Sequence, residues 1–228
     1  MKPNLILLHG AIGASSQLQN LAAELSLHFT IFTFDFEGHG KNQNSNRDFR
    51  IEYFAENLEQ FILQNNLQAA NIFGYSMGGY VALYLASQKP LLINRIFTLA
   101  TKFDWNVASA LKESAMLNAE KIEIKIPHFA EDLKNRHTDD WKNVLQKTAE
   151  MMIHLGNNPL LKTSVLAKIN CFVKLTVGEN DTMVSIAETT AVVHQIENAE
   201  FELFANFSHP IEKVNVSFLA NSIHQFST

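Results

Sequence analysis

The 228-residue sequence has a single cysteine, Cys171, and this excludes an intramolecular disulfide. No block of lysine and arginine stands out in the sequence. The 18 basic residues are outnumbered by 23 acidic ones, so the formal charge is -5. A chain without such a block is poorly suited to neutralise a row of phosphates, so we expect no nucleic-acid partner. Cys171 lies in a short apolar run, which indicates a buried thiol without a catalytic role.

Long hydrophobic runs are absent as well. The apolar run Leu5–Leu8 near the start is far too short for a signal-peptide core or a membrane span. We therefore expect no membrane span and, by default, a cytoplasmic location. Neither G-x-G-x-x-G nor G-x-x-x-x-G-K-S/T follows this run, which disfavours a nucleotide-binding protein. Nothing in the sequence indicates a cofactor or a metal, and the oligomeric state stays open.

What the sequence does contain is a set of short apolar runs separated by helical patterns. Helical periodicity covers Gln17–Leu27, Ile51–Gln64 and Gly78–Ser87, among other segments. Apolar strands joined by helical crossovers predict an α/β fold with a mostly parallel central sheet and helices on both faces, and the length suits a single domain over residues 1–228. The six predicted strands are Leu5–Leu8, Thr30–Phe34, Asn71–Phe73, Arg95–Leu99, Phe172–Val177 and Glu200–Phe204.

One segment, from about residue 103 to about residue 168, shows no strand-like run. It is charged, amphipathic and rich in Ala, Leu, Lys and Glu, so we expect a helical insertion with helices over Ser109–Leu117, Phe129–Arg136 and Trp141–Leu155. Most of its apolar residues should pack onto the rest of the protein. The flexible side chains of Met151 and Met152 are candidates to line a substrate pocket.

The strongest local signal is the G-x-S-x-G motif Gly74-Tyr75-Ser76-Met77-Gly78. This short pattern also occurs by chance in loops, but here it stands between a strand-like run and a helical pattern, as a nucleophile elbow requires. The sharp turn would lift Ser76 above the sheet, and the flanking glycines would avoid clashes that a Cβ creates. We predict that Ser76 is a catalytic nucleophile.

Two backbone amides are candidates for an oxyanion hole. The amide of Met77 opens the helix after Ser76, and the amide of Ala11 belongs to the turn His9–Gly13 after the first strand. Ile12, next to Ala11, is a further candidate for substrate binding. A second turn, Asp35–Lys41, also carries polar side chains, and we expect these to satisfy backbone groups rather than to react.

The base must be selected by position, because the chain has nine histidines. His209 follows the last predicted strand across a short loop, and Pro210 is then placed to open the final helix. Asp181 directly follows the strand Phe172–Val177, where its carboxylate would hold the imidazole in the tautomer that accepts the serine proton. Asp104, after the strand Arg95–Leu99, remains the alternative acid.

Together these motifs resemble the α/β-hydrolase superfamily, and the resemblance spans nearly the whole chain. It implies that Ser76, Asp181 and His209 form a catalytic triad and that residues 103–168 form a helical cap. It also implies a sheet without the family's leading hairpin, because the chain opens at what resembles the third strand. The motifs that carry it are His9-Gly10-x-x-Gly13, Asp35-x-x-Gly38-His39-Gly40, Gly74-Tyr75-Ser76-Met77-Gly78, Gly178-x-x-Asp181 and His209.

The expected function is that of a carboxylesterase-like serine hydrolase, which cleaves a small or medium, mainly apolar ester or thioester through an acyl-enzyme intermediate. Two departures from the family pattern argue against a lipase: the loop after the first strand lacks a run of glycines, and Ser208 stands where glycine often precedes the histidine. The alternatives are a carbon-carbon bond hydrolase with the same triad and a slow or non-catalytic small-molecule receptor.

Overall fold

The computed structural model describes residues 2–43 and 45–227 and contains a six-stranded parallel sheet. Its strand order is β2-β1-β3-β4-β5-β6. The six predicted strands are confirmed, with ends that shift by no more than two residues. They are β1 (Asn4–Leu8), β2 (Thr30–Thr33), β3 (Ala70–Tyr75), β4 (Ile93–Leu99), β5 (Phe172–Gly178) and β6 (Ala199–Phe204).

Helices cover both faces of the sheet. The prediction that Pro210 opens the final helix is wrong, because a short 3₁₀ turn, Ile211–Lys213, follows it and the helix begins at Val216, where the Asn215 side chain accepts the Phe218 amide at 3.0 Å. The helices are α1 (Gln19–Leu25), α2 (Ile51–Gln64), α3 (Met77–Gln88), α4 (Val107–Ser114), α5 (Ala119–Lys125), α6 (Pro127–His137), α7 (Trp141–Asn157), α8 (Thr163–Leu166), α9 (Ile186–Val193) and α10 (Val216–Ser227).

Alternation along the central strands divides the core in two. In β1, Leu5 and Leu7 pack towards α1 and α10, whereas Ile6 and Leu8 pack towards α2 and α3. The four residues are fully buried, as expected for an inner strand covered on both faces. Cys171 is buried in the second of these clusters, and its burial raises the pKa of the thiol to about 11.

The chain between β4 and β5 forms the helices α4–α8, which we call the insertion helices. They have a small apolar cluster of their own around Leu133 and Trp141. The helices α4 and α7 approach closely at Gly156, where an added Cβ would meet the side chain of Ala110. Within the described residues, no helix is both long and apolar enough to cross a membrane.

Candidate active site

The carboxyl ends of the parallel strands lie along one edge of the sheet, and the loops at this edge carry the predicted site residues. Ser76 follows β3, Asp181 follows β5 and His209 follows β6. The loop after β1 carries Ala11, which lies beside Ser76 at the same cavity. Residues distant in sequence therefore meet because parallel strands end together.

The backbone at Ser76 has a positive φ of 51° with ψ of -114°, a conformation that is unfavourable for a residue with a Cβ. Hydrogen bonds on both sides hold it there. Its amide donates to the Leu99 carbonyl at 2.8 Å, and its carbonyl accepts the Thr101 hydroxyl at 3.0 Å. The elbow also needs Gly78, where a Cβ would lie 2.7 Å from the His9 carbonyl oxygen.

Three side chains form a chain of hydrogen bonds at this edge. Ser76 Oγ lies 3.4 Å from His209 Nε2, and His209 Nδ1 lies 2.8 Å from Asp181 Oδ2. Because an ionised carboxylate can only accept, Nδ1 carries a proton and, in the neutral ring, Nε2 is free to accept one. The Tyr75 hydroxyl donates to the His209 carbonyl at 3.0 Å and so fixes the loop that carries the imidazole.

The Asp181 side chain is fully buried, and all its hydrogen bonds come from groups of its own loop and from His209. Oδ1 accepts the amides of Met183 and Val184 at 2.8 and 2.9 Å. Burial raises the pKa of Asp181, but His209 and these amides outweigh it, so the pKa lies below the ordinary value of 3.8. Asp104, the alternative acid, is exposed and accepts the Asn106 side-chain amide instead.

The amides of Ala11 and Met77 donate to no acceptor within residues 2–43 and 45–227. Both residues line a cavity together with Ser76 and His209. The Met77 amide also belongs to the first turn of α3, whose amides point away from the helix and favour a negative charge. Two unoccupied donors beside a serine are suited to a developing oxyanion.

Residues 3–119, over half of the chain, match the alpha/beta hydrolase fold family. The chain belongs to the α/β-hydrolase family. It is 30% identical over 131 residues to a pimeloyl-(acyl-carrier protein) methyl ester esterase of Pseudoalteromonas atlantica, a match covering 52% of this chain and 49% of that protein. The chain spans about half or less of the length of the curated relatives it matches.

Solved structures of other α/β hydrolases superpose on almost the entire chain. A thermophilic esterase from Thermogutta terrifontis matches with a TM-score of 0.78 at 18% identity, over 99% of this chain and 89% of that one. An enol-lactonase from Burkholderia xenovorans gives a TM-score of 0.78 at 18% identity, over 99% and 91%. At such identities the likeness establishes the fold but does not determine which bond is cleaved.

The sequence does not predict a cluster of three histidines, His9, His39 and His137, under the loop after β1. His137 of α6 reaches across to this loop: its Nε2 donates to the Ile12 carbonyl at 2.9 Å, and its Nδ1 accepts the Gly40 amide at 3.0 Å. His9 and His39 are buried beside it, with ring centroids 5.2 Å apart. Burial lowers the pKa of each of the three, that of His9 to about 4, so the cluster is neutral.

The turn Asp35–Lys41 has the structural role that the sequence predicts. Asp35 accepts the Ser15 amide at 2.6 Å through Oδ1 and the Lys41 amide at 2.9 Å through Oδ2. His39 donates from Nδ1 to the Glu37 carbonyl at 3.1 Å. These bonds fold the turn against the loop of Ala11, and no atom of Asp35 faces the cavity at Ser76.

Two adjoining cavities open at Ser76. The first is almost wholly apolar and is lined by both predicted methionines, Met151 and Met152, as well as by Trp105. The second is larger and includes Ile12. Three further lining residues, Lys102, Trp105 and Glu113, were not predicted to line a pocket. Lys102 and Trp105 share a sequence signal, since both lie just after β4 at the edge of the sheet that carries Ser76, whereas Glu113 lies further along, in α4. Among the described residues, no group of three or more metal-ligating side chains is arranged to hold a metal ion.

Proposed function

We propose that this α/β hydrolase is a serine esterase that cleaves small or medium, mainly apolar esters or thioesters through an acyl-enzyme intermediate. Ser76 is the nucleophile, His209 the general base and Asp181 the acid that orients the base. Ala11 and Met77 supply the oxyanion-binding amides. The observation that carries the proposal is the continuous hydrogen-bond chain from Ser76 Oγ through His209 to Asp181 Oδ2.

In the first half-reaction, Ser76 Oγ attacks the carbonyl carbon while His209 Nε2 takes the hydroxyl proton. The carbonyl oxygen becomes an oxyanion that accepts from the amides of Ala11 and Met77. The tetrahedral intermediate then collapses, its bond to the alcohol or thiol breaks, and the leaving group takes the proton from His209. Asp181 stabilises the transient imidazolium through the 2.8 Å contact without itself being protonated.

In the second half-reaction, His209 Nε2 removes a proton from water, whose oxygen attacks the acyl carbon. The ester bond to Ser76 Oγ breaks, the serine recovers its proton and the acid leaves. No oxidant, metal or cofactor is needed for either half. The expectation that the protein needs no cofactor therefore stays part of this proposal.

The apolar cavity determines the substrate class. Its wall is formed mainly by Trp105, Met151, Met152, Leu155 and Val184, so it favours a hydrocarbon acyl group over a charged one. We infer that the insertion helices act as a cap on the single domain, since Met151, Met152 and Leu155 all belong to α7. Cleavage of an ester, rather than of a carbon-carbon bond, is supported by the Pseudoalteromonas relative that is named as a methyl ester esterase.

A fluorophosphonate probe tests the nucleophile directly. Wild-type protein should be labelled covalently, and Ser76→Ala should abolish labelling and lower kcat on 4-nitrophenyl esters on the order of 10⁶-fold, since members of a triad act as one unit. Ser87→Ala is the matched control, because Ser87 is a buried serine at the far end of α3, the helix that begins directly after Ser76. It should keep both labelling and turnover.

The same experiment separates the alternatives. Equal labelling of Ser76→Ala and wild type would contradict the assignment of the nucleophile. Labelling at Ser76 without turnover of any ester would favour a receptor or a carbon-carbon bond hydrolase over the esterase proposed here.

A further inference from the structure

A second buried carboxylate, Glu113, lies at the site without a role in the hydrogen-bond chain of Ser76. It belongs to α4 and lines both cavities that open at Ser76. Only 2% of the residue is exposed, yet Oε2 has no hydrogen-bond partner among the described residues. Burying an acceptor without a partner costs free energy of folding, so an unpartnered carboxylate oxygen needs an explanation.

The neighbour of Glu113 explains only its other oxygen. Lys102 Nζ lies 3.8 Å from Oε1, a long ion pair, and it donates a shorter hydrogen bond of 3.1 Å to the Met183 carbonyl. Lys102 is thus fixed between the end of β4 and the loop of Asp181. It balances the charge of Glu113 but leaves Oε2 without a hydrogen-bond partner among the described residues.

In the part of the chain that the structure describes, three other buried side-chain atoms also lack partners: His39 Nε2, Thr98 Oγ1 and Thr148 Oγ1. None of these three residues lines either cavity at Ser76. Glu113 is therefore distinguished by its position, because it alone of these four residues lines the space that a substrate would occupy.

We propose that Glu113 is a specificity-determining residue whose Oε2 accepts a hydrogen bond from a neutral hydroxyl or amide N–H on the acyl part of the substrate. The inference rests on the proposed function and narrows its substrate class to an apolar acyl group bearing one donor. A neutral donor fits better than an ammonium group, because Lys102 already balances the carboxylate and would repel a second cation.

The placement on the acyl side follows from the two cavities. The apolar cavity holds both proposed oxyanion donors, Ala11 and Met77. Among the described residues that line it, Glu113 and Lys102 are the only side chains of formal charge besides His209, whose charge depends on protonation. The larger cavity is lined by further polar residues, Gln17, Arg136 and Glu212, and so can solvate a polar leaving group without Glu113. A donor on an apolar acyl group has no such alternative partners.

The test uses pairs of 4-nitrophenyl esters. Each pair matches an ω-hydroxyacyl ester with the ω-methyl ester of equal heavy-atom count, over a series of chain lengths, with rates corrected for uncatalysed loss of the ester. The readout is the ratio of kcat/KM for the two members. In the wild type this ratio should peak at the chain length that brings the hydroxyl to Glu113 Oε2.

Two variants and one control are compared at that length. Glu113→Met should lower the ratio about tenfold to a hundredfold, because a hydrogen bond to a charged group is lost. Glu113→Gln, which keeps an acceptor oxygen without the charge, should lower it about fivefold. Thr148→Val removes an unpartnered buried hydroxyl on α7, away from both cavities, and should leave the ratio at its wild-type value.

If Glu113→Met leaves the ratio of kcat/KM unchanged, the inference is overturned. If Glu113→Met does not fold, an unchanged ratio in Glu113→Gln has the same consequence. So would a wild-type ratio that shows no peak with chain length. Binding of the same ester pairs to Ser76→Ala, measured by calorimetry, separates this outcome from failure of the proposed function. A hydroxyl preference in binding that Glu113→Met removes supports the inference even when the wild type hydrolyses no ester.

Discussion

Two buried carboxylates lie at the site, and they belong to different regions of the molecule. Asp181, in the loop after β5, has both oxygens occupied by two amides and by His209. Glu113, in α4, has one oxygen near Lys102 and one without a partner. A carboxylate whose hydrogen-bond partners all belong to the protein can orient a base whatever substrate is bound. A carboxylate with an unpartnered oxygen is suited to accept a hydrogen bond from the substrate. We therefore propose that the sheet loops supply the reacting groups and that the insertion helices determine the substrate selectivity.

Apolar side chains of α7 and α8 pack into the core of the protein, and polar contacts also join the insertion helices to the rest of the chain. His137 binds the Ile12 carbonyl, Arg136 pairs with Glu212 at 2.8 Å, and the Tyr80 hydroxyl accepts the amides of Leu160 and Leu161. Burial raises the pKa of Tyr80 to about 12, so this hydroxyl stays neutral. These contacts end on the loop of Ala11, on the 3₁₀ turn after His209 and on α3.

The two candidate acids, Asp181 and Asp104, can be distinguished by replacing each carboxylate with an amide. Asp181→Asn should lower kcat about 10⁴-fold, because the amide favours the wrong tautomer of His209. Asp104→Asn should be nearly neutral, since the Asp104 side chain is exposed and accepts the Asn106 side-chain amide, while His209 Nδ1 bonds to Asp181. The measurement is kcat on a single ester with both variants purified in parallel. A larger loss from Asp104→Asn would transfer the orienting role to that residue.

The next largest effect concerns the histidine cluster that joins the insertion helices to the sheet loops. In the unfolded chain His9 binds a proton below its ordinary pKa of 6.5, but in the folded protein only near its lowered pKa of about 4. The unfolded state therefore binds more protons between these pH values, and the free energy of unfolding should fall by up to about 3 kcal/mol as pH drops from 6.5 to 4. The lowered pKa values of His39 and His137 act in the same direction.

Urea unfolding across that pH window checks this expectation. Asp35 and Asp181 do not interfere, because each has a pKa below 3.8 and loses its contribution only at lower pH. His137→Gln should weaken the pH dependence, since an amide can donate and accept as a neutral imidazole does but does not titrate. His128→Gln, at an exposed position of the same helix, is the control and should leave the dependence intact. Equal stability at both ends of the window would contradict the assignment.

The sequence predicts the sheet well because each strand is a local run of apolar residues. It likewise places Ser76, Asp181 and His209 at strand ends, where parallel topology brings them together. The start of the last helix was missed although a signal was present: Asn215 caps α10, while Pro210 only precedes a 3₁₀ turn. A proline is compatible with either kind of turn, so its presence could not decide between them.

Contacts between the insertion helices and the sheet could not be predicted in this way. His137 and Ile12 are 125 positions apart, and nothing in their local sequences distinguishes this pair from the other histidines and carbonyls. The burial of Glu113 could not be predicted either. In the sequence it is an ordinary polar position of an amphipathic helix, and only the packing of α4 on α7 shows that it is buried. Such positions depend on how two elements pack, which a local pattern does not encode.

Acyl-chain length and a substitution in the insertion helices should change kcat/KM less than the substitutions above. Each methylene added to the acyl chain should raise kcat/KM about fourfold, from about 0.8 kcal/mol of burial, until the apolar cavity is full. Met151→Ala shortens a buried side chain that lines this cavity, so the optimum should move to longer chains. Ile124→Ala, at a position 80% exposed on α5, should keep the wild-type optimum. A flat profile of kcat/KM against acyl length, or a preference for charged acyl groups, would overturn the apolar cavity as the acyl site while leaving the roles of Ser76 and His209 untouched.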